Sequence, residues 1–119
     1  MEHESTEEET LAFLIAEMII LDMDESWSIE KLAIMNQTHT KKLKGIFKKY
    51  IGMPAAAFRI SIRMEKARQL LLDTTLPIQD ISIQVGYANP ANFSTLFKRK
   101  MGVSPKILRK GSGIRPESK

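Results

Sequence analysis

Residues 78–101, IQDISIQVGYANPANFSTLFKRKM, decide how the rest of the chain is read. The stretch reads as two short helices joined by a tight turn. Ile78, Ile81 and Val85 recur at helical spacing and line one face of the first helix. Gly86 follows where a left-handed backbone ends a helix at low cost. Asn89 offers a side-chain oxygen to free amides, and Pro90 suits the first position of the second helix. Phe93, Leu96 and Phe97 form that helix's apolar stripe. Its other face, Ala91, Asn92, Ser94, Thr95 and Lys98, is small, polar and finally basic. Such a face fits a DNA major groove, where amides and hydroxyls meet base edges.

The pattern occurs twice. Residues 43–59, LKGIFKKYIGMPAAAFR, align with residues 93–109, FSTLFKRKMGVSPKILR, at an offset of 50. Phe47/Phe97, Lys48/Lys98, Gly52/Gly102 and Arg59/Arg109 are identical, and Leu43/Phe93, Ile46/Leu96, Lys49/Arg99, Ile51/Met101, Met53/Val103 and Phe58/Leu108 pair like with like. The preceding helix repeats at an offset of 49, as Ile29/Ile78 and Leu32/Ile81. The one-residue slip falls in the turn, where insertions are tolerated. Coincidence of aromatic, basic and glycine positions points to an internal duplication of a helix-turn-helix.

The motifs A-x(2)-LL over residues 67–71, I-x(2)-I-x(3)-VGY over 78–87 and F-x(3)-FK-x(3)-G-x-SP over 93–105 resemble the DNA-binding domain of the AraC/XylS family of bacterial transcription regulators. The resemblance covers roughly residues 28–110. It implies an all-α fold of about seven helices: two homeodomain-like helix-turn-helix subdomains joined by a long linker helix. It also implies a monomeric, cytoplasmic binder of double-stranded DNA that often activates by touching RNA polymerase. An effector would act only through a separate domain not contained in this sequence; the ragged acidic start favours a fragment of a longer regulator over a stand-alone member.

By that resemblance, the early outward positions of each second helix meet base edges. In the first copy these are Thr40, Lys41, Lys44 and Gly45; in the second they are Pro90, Ala91, Asn92, Ser94 and Thr95. Lys41 or Lys44 has the reach for guanine O6 and N7, Asn92 for adenine N6 and N7, and Ala91 or the Thr95 methyl for a thymine methyl. The alternative for the lysines, Asn92 and Ser94 is ordinary solvated helix surface. Gly45 departs from the family pattern, which has a bulkier polar residue there. It weakens the helix by up to about 1 kcal/mol and removes one possible base contact, and it also allows close approach to the backbone. Ser28, Lys42, Lys48, Lys49, Asn89, Lys98 and Arg99 are placed to meet phosphates, which gives affinity but little sequence information.

Composition agrees with a polyanion partner. The net charge of +4 hides an asymmetry. Residues 1–30 carry ten acidic groups and no Lys or Arg; residues 31–119 carry all 18 Lys and Arg against Glu65, Asp73, Asp80 and Glu117, a net charge of +14. Such a body attracts nucleic acid through counterion release. No cysteine is present, which excludes a disulfide framework and a thiolate zinc site. Of the two histidines, His3 lies in the acidic start and His39 in the first turn, so neither a metal site nor catalysis is expected, and no cofactor. No apolar run approaches the roughly 20 residues of a membrane span.

In chain order, residues 1–9 read as a disordered acidic arm. Residues 10–53 form the first subdomain, opening with a helix whose Leu11, Leu14, Ile15, Met18 and Ile19 are expected inward. Ser28 caps the next helix, with Trp27 as a hydrophobic staple. Residues 54–73 form the linker helix, about 27 Å over residues 55–72 at about 1.5 Å per residue. Residues 74–110 form the second subdomain, with Thr74 or Thr75 expected to supply the cap that Pro77 cannot; residues 111–119 read as a flexible tail. Three other functions weigh less. Exposed aromatic platforms for single-stranded nucleic acid are missing. Nucleophile, phosphate-loop and metal motifs are missing, which argues against an enzyme. A protein-interaction role would fall on residues 11–20.

Overall fold

A computed structural model describes residues 6–21 and 28–112. Those residues form seven helices and no strand: α1 (Glu7–Leu21), α2 (Ile29–Met35), α3 (Thr40–Ile51), α4 (Ala55–Asp73), α5 (Ile78–Gln84), α6 (Pro90–Met101) and α7 (Pro105–Ser112). The chain divides into two compact units, Met1–Ile60 and Ser61–Lys119. The break falls inside α4, which therefore closes the first unit and opens the second.

In the first unit α1 and α2 both pack on α3. The core is Ala12, Ile15, Ala16 and Ile19 from α1, Leu32 and Ala33 from α2, and Leu43, Ile46 and Phe47 from α3. Phe58 of α4 meets Phe47 edge-on at 5.6 Å. α1 corrects two expectations. It starts at Glu7, so residues 7–9 are a helical turn and not part of a disordered arm. The Thr6 hydroxyl accepts from the Glu9 amide at 2.9 Å, and three glutamates favour the positive end of the helix. Its buried face is also rotated: the small Ala12 and Ala16 go inward, while Leu14 and Met18 are exposed together with Phe13, Ile20 and Leu21. A helix apolar on nearly every side has no periodicity to fix its rotation, and the alanines allow the closest approach to α3. The Trp27 staple and the outer parts of the arm and tail lie outside the described residues.

In the second unit α6 packs on α5 and α7. Met64, Ala67 and Leu71 of α4, Ile81 and Val85, Phe93 and Phe97, and Pro105 are fully buried. α7 runs on through residue 112, past the expected start of the tail. Arg109 of α7 is the one buried charge among the described residues. Its guanidinium donates to the carbonyls of Leu71 at 3.1 Å, Leu76 at 2.5 Å, Thr74 at 3.1 Å and Leu70 at 3.4 Å. These carbonyls belong to the last turn of α4 and to the loop beyond it. The cationic side chain thus ends the long helix and fixes the loop that leads into α5. Burial holds its pKa below the ordinary arginine value. Thr74 joins this arrangement and does not cap α5: its hydroxyl donates to the Leu70 carbonyl at 2.6 Å and accepts from the Leu76 amide at 3.2 Å. Pro77 stands at the start of α5 with no side-chain cap.

Candidate nucleic-acid interface

The two candidate reading helices, α3 and α6, are each twelve residues long, and each follows a seven-residue helix, α2 or α5. Both end on a left-handed glycine, Gly52 at φ +98° and Gly102 at φ +88°, whose amide donates to the carbonyl of Lys48 or Lys98. The turns match as well. After α5, Gly86 donates to the Ile83 carbonyl and Tyr87 to the Ser82 carbonyl, at 3.0 and 2.8 Å. After α2, Gln37 donates to the Ile34 carbonyl and Thr38 to the Ala33 carbonyl, at 3.1 and 2.9 Å. Gln37 occupies the left-handed region at φ +56°, where its counterpart is a glycine. The sequence repeat is therefore a repeat of backbone geometry, down to a position where the first copy pays strain for lacking glycine.

Gly86 has a second reason to be glycine. A Cβ there would stand 2.9 Å from Cζ of Arg63, whose guanidinium lies 5.1 Å from the centre of the Tyr87 ring. Tyr87 in turn packs on Phe93 of α6 at 5.8 Å. This stack joins α4 to the base of α6. In the sequence Gly86 marks only the turn; its contact with Arg63 is a property of the fold.

On α3, Leu43, Ile46 and Phe47 are buried. Lys41, Lys42, Lys44, Gly45, Lys48 and Lys49 are all exposed, and Thr40 half-exposed, in the first turn. His39 precedes the helix without a side-chain cap bond. On α6, Phe93 and Phe97 are buried; Ala91, Asn92, Thr95, Lys98 and Arg99 are exposed, and Pro90 and Ser94 half-exposed. The Asn89 side chain accepts from the amides of Ala91 and Asn92 at 2.9 and 3.1 Å. Ser28 accepts from the Lys31 amide at 3.2 Å. Both are thus committed as helix caps through their oxygens. The structure brings the candidate base-reading residues of each copy onto the outer face of one helix. α3 presents that face as a row of ammonium groups. α6 presents a neutral first half and a basic last turn of Lys98, Arg99 and Lys100. Sequence reading missed Arg109 as the residue that seats the second copy; the only signal was its match with Arg59. Among the described residues no acidic or histidine cluster could hold a metal ion, and no helix is long and apolar enough to cross a membrane.

A helix-turn-helix domain family matches residues 32–111. The C-terminal domain of AraT, a response regulator from Geobacillus stearothermophilus, superposes with a TM-score of 0.81 at 31% identity, covering 96% of this chain and 93% of that one. The chain belongs to the AraC-type helix-turn-helix family. It is a DNA-binding domain of the kind found in transcription regulators. The AraC-type fold is also that of the DNA-binding domain of AdpA, solved with a target DNA, at a TM-score of 0.76 and 19% identity over 84% of this chain and 90% of that one. In sequence the chain is 34% identical over 99 residues to the Bacillus subtilis bifunctional transcriptional activator/DNA repair enzyme AdaA, across 83% of this chain and 47% of AdaA. The chain spans between about a quarter and about half of the length of the curated relatives it matches.

Proposed function

We propose that this AraC-type domain regulates transcription by reading one asymmetric duplex site with both helices, α3 and α6, in successive major grooves. The observation that carries the reading is the repeat of one glycine-terminated unit, each copy presenting an exposed polar or basic helix face. On this reading Thr40, Lys41, Lys44 and Gly45 meet base edges in one block, and Pro90, Ala91, Asn92, Ser94 and Thr95 in the other. Lys42, Lys48, Lys49, Lys98 and Arg99 meet phosphates. Ser28 and Asn89 meet them through groups left over from capping, the hydroxyl proton and the amide nitrogen. Grooves on one face of a duplex recur at about 34–36 Å. α4, 19 residues and about 28 Å long, carries the chain from the first unit into the second. The richer charge of α3 makes the first block the stronger determinant of affinity.

Neither α3 nor α6 contains Asp or Glu, and AdaA's repair function belongs to a protein of which this chain covers less than half. Contact with RNA polymerase, and control by an effector held on another domain, are the forms regulation takes in this proposal. The test is selection of binding sites from a random duplex pool, followed by Lys44→Ala. The variant should relax preference in one block only. Equal loss on every sequence would move Lys44 to a phosphate, and no selected sequence at all would end the proposal.

A further inference from the structure

Gly45 sits in the middle of α3, five residues from its start and six from its end. Glycine weakens a helix interior, so its presence asks for a cause. The inside of the protein supplies none. Its φ lies in the ordinary helical range, unlike those of Gly52, Gly86 and Gly102. A Cβ built on it meets no atom within 4 Å, whereas one on Gly86 would stand 2.9 Å from Arg63. The residue is exposed and is flanked on the same face by exposed Lys41, Lys44 and Lys48. Its counterpart in the second copy, Thr95, carries a full side chain.

We infer that Gly45 is the point of closest approach between α3 and duplex DNA, where the bare helix backbone leaves room that a methyl group would fill. The inference rests on the reading of α3 as a groove helix and adds to it a specificity determinant that works by absence. Two groups of a duplex stand out far enough to need that room: the C5-methyl of thymine, which projects into the major groove, and the sugar-phosphate chain along its wall. Lysines on either side draw the helix inward, and their flexible stems let it settle until the backbone itself makes contact.

The consequence is a pair of effects of opposite sign. Gly45→Ala puts a better helix former in open space, so the free protein should melt higher, by about 4 °C. The same variant should bind the selected duplex more weakly, by about tenfold or more, the size of a mismatched base pair. Both are measured on the full chain, by thermal unfolding and by titration of the selected duplex. Replacing each thymine of the first block by deoxyuracil then locates the contact: recovery of Gly45→Ala binding at one position marks a thymine methyl, and no recovery at any position marks the sugar-phosphate chain. A Gly45→Ala protein that melts higher and binds as tightly as the parent would overturn the inference. Lys41→Ala and Lys44→Ala run beside it as controls. If they weaken binding while Gly45→Ala does not, the groove reading stands and the close approach falls. If none of the three changes affinity, the groove reading of α3 falls with it.

Discussion

Replacing Arg109 by methionine keeps an apolar stem of similar girth and deletes the guanidinium. Its contacts to the carbonyls of Leu71, Leu76 and Thr74 lie at 3.1 Å or less, and that to Leu70 is 3.4 Å. A hydrogen bond to a charged group contributes about 1.5–3 kcal/mol, so three would give about 4.5–9 kcal/mol if they added. They do not add in full. Desolvation of the cation, visible in its lowered pKa, offsets part. The Leu70 carbonyl keeps its bonds from Thr74, and the half-buried residues 74 and 76 regain water on theirs, while Leu71 is fully buried and does not. The net cost should be about 3 kcal/mol, or about 12 °C or more in the melting temperature of a unit this size. Arg109→Lys keeps the charge but not the fork and should lose about 2 kcal/mol. Urea unfolding followed by circular dichroism gives both values. If Arg109→Met falls within about 0.5 kcal/mol of the parent at equal m-value, the clamp on α4 contributes nothing and the argument fails.

Other changes test other links. Gln37→Gly relieves a left-handed backbone that costs about 1–2 kcal/mol, against about 0.5–1 kcal/mol of added freedom in the unfolded chain, so it should stabilise by about 0.5 kcal/mol in the same unfolding assay. Tyr87→Phe removes a hydroxyl that is buried without a hydrogen-bond partner among the described residues, and should raise stability by about 1 kcal/mol; a loss of that size would mean the hydroxyl is satisfied. Neutralising phosphates with Lys42, Lys48, Lys49, Lys98 and Arg99 should give a slope of log K against log salt of about −4.5, and Lys48→Ala should make it shallower by about 0.9. A slope near zero would exclude phosphate contacts.

The second copy was the more legible half of the sequence. Its glycine, asparagine cap, proline and aromatic stripe are local signals, and each fixes one feature of the backbone. Buried Phe93 and Phe97 and the Asn89 cap lie where the spacing puts them. The turn before α3 was harder, because Gln37 does a glycine's work without being one. α1 misled for a different reason. Leucine, isoleucine and methionine occur on nearly all its sides, and which of them turn inward depends on how close α3 can come. That distance is set by Ala12 and Ala16, residues that carry little weight in a count of apolar spacing. Arg109 could not be read at all from local pattern. Its partners lie 33 to 39 residues away, and an arginine between Lys106 and Lys110 looks like surface. The outer faces of α3 and α6 were legible as faces. Which base each residue meets depends on the duplex, a partner whose sequence the chain does not encode.

On the proposed reading, two copies of one unit read one duplex. Footprinting the full chain on its selected site at single-nucleotide resolution tests this most directly. Two protected and sequence-preferring blocks are expected on one face of the helix, about one turn, or roughly 10–10.5 base pairs, apart, within a site of roughly 15–20 base pairs. Substitutions at Lys41 or Lys44 should alter one block, and substitutions at Asn92 or Thr95 the other. A single protected block unaffected by changes on α6, or protection without any preferred sequence, would contradict it.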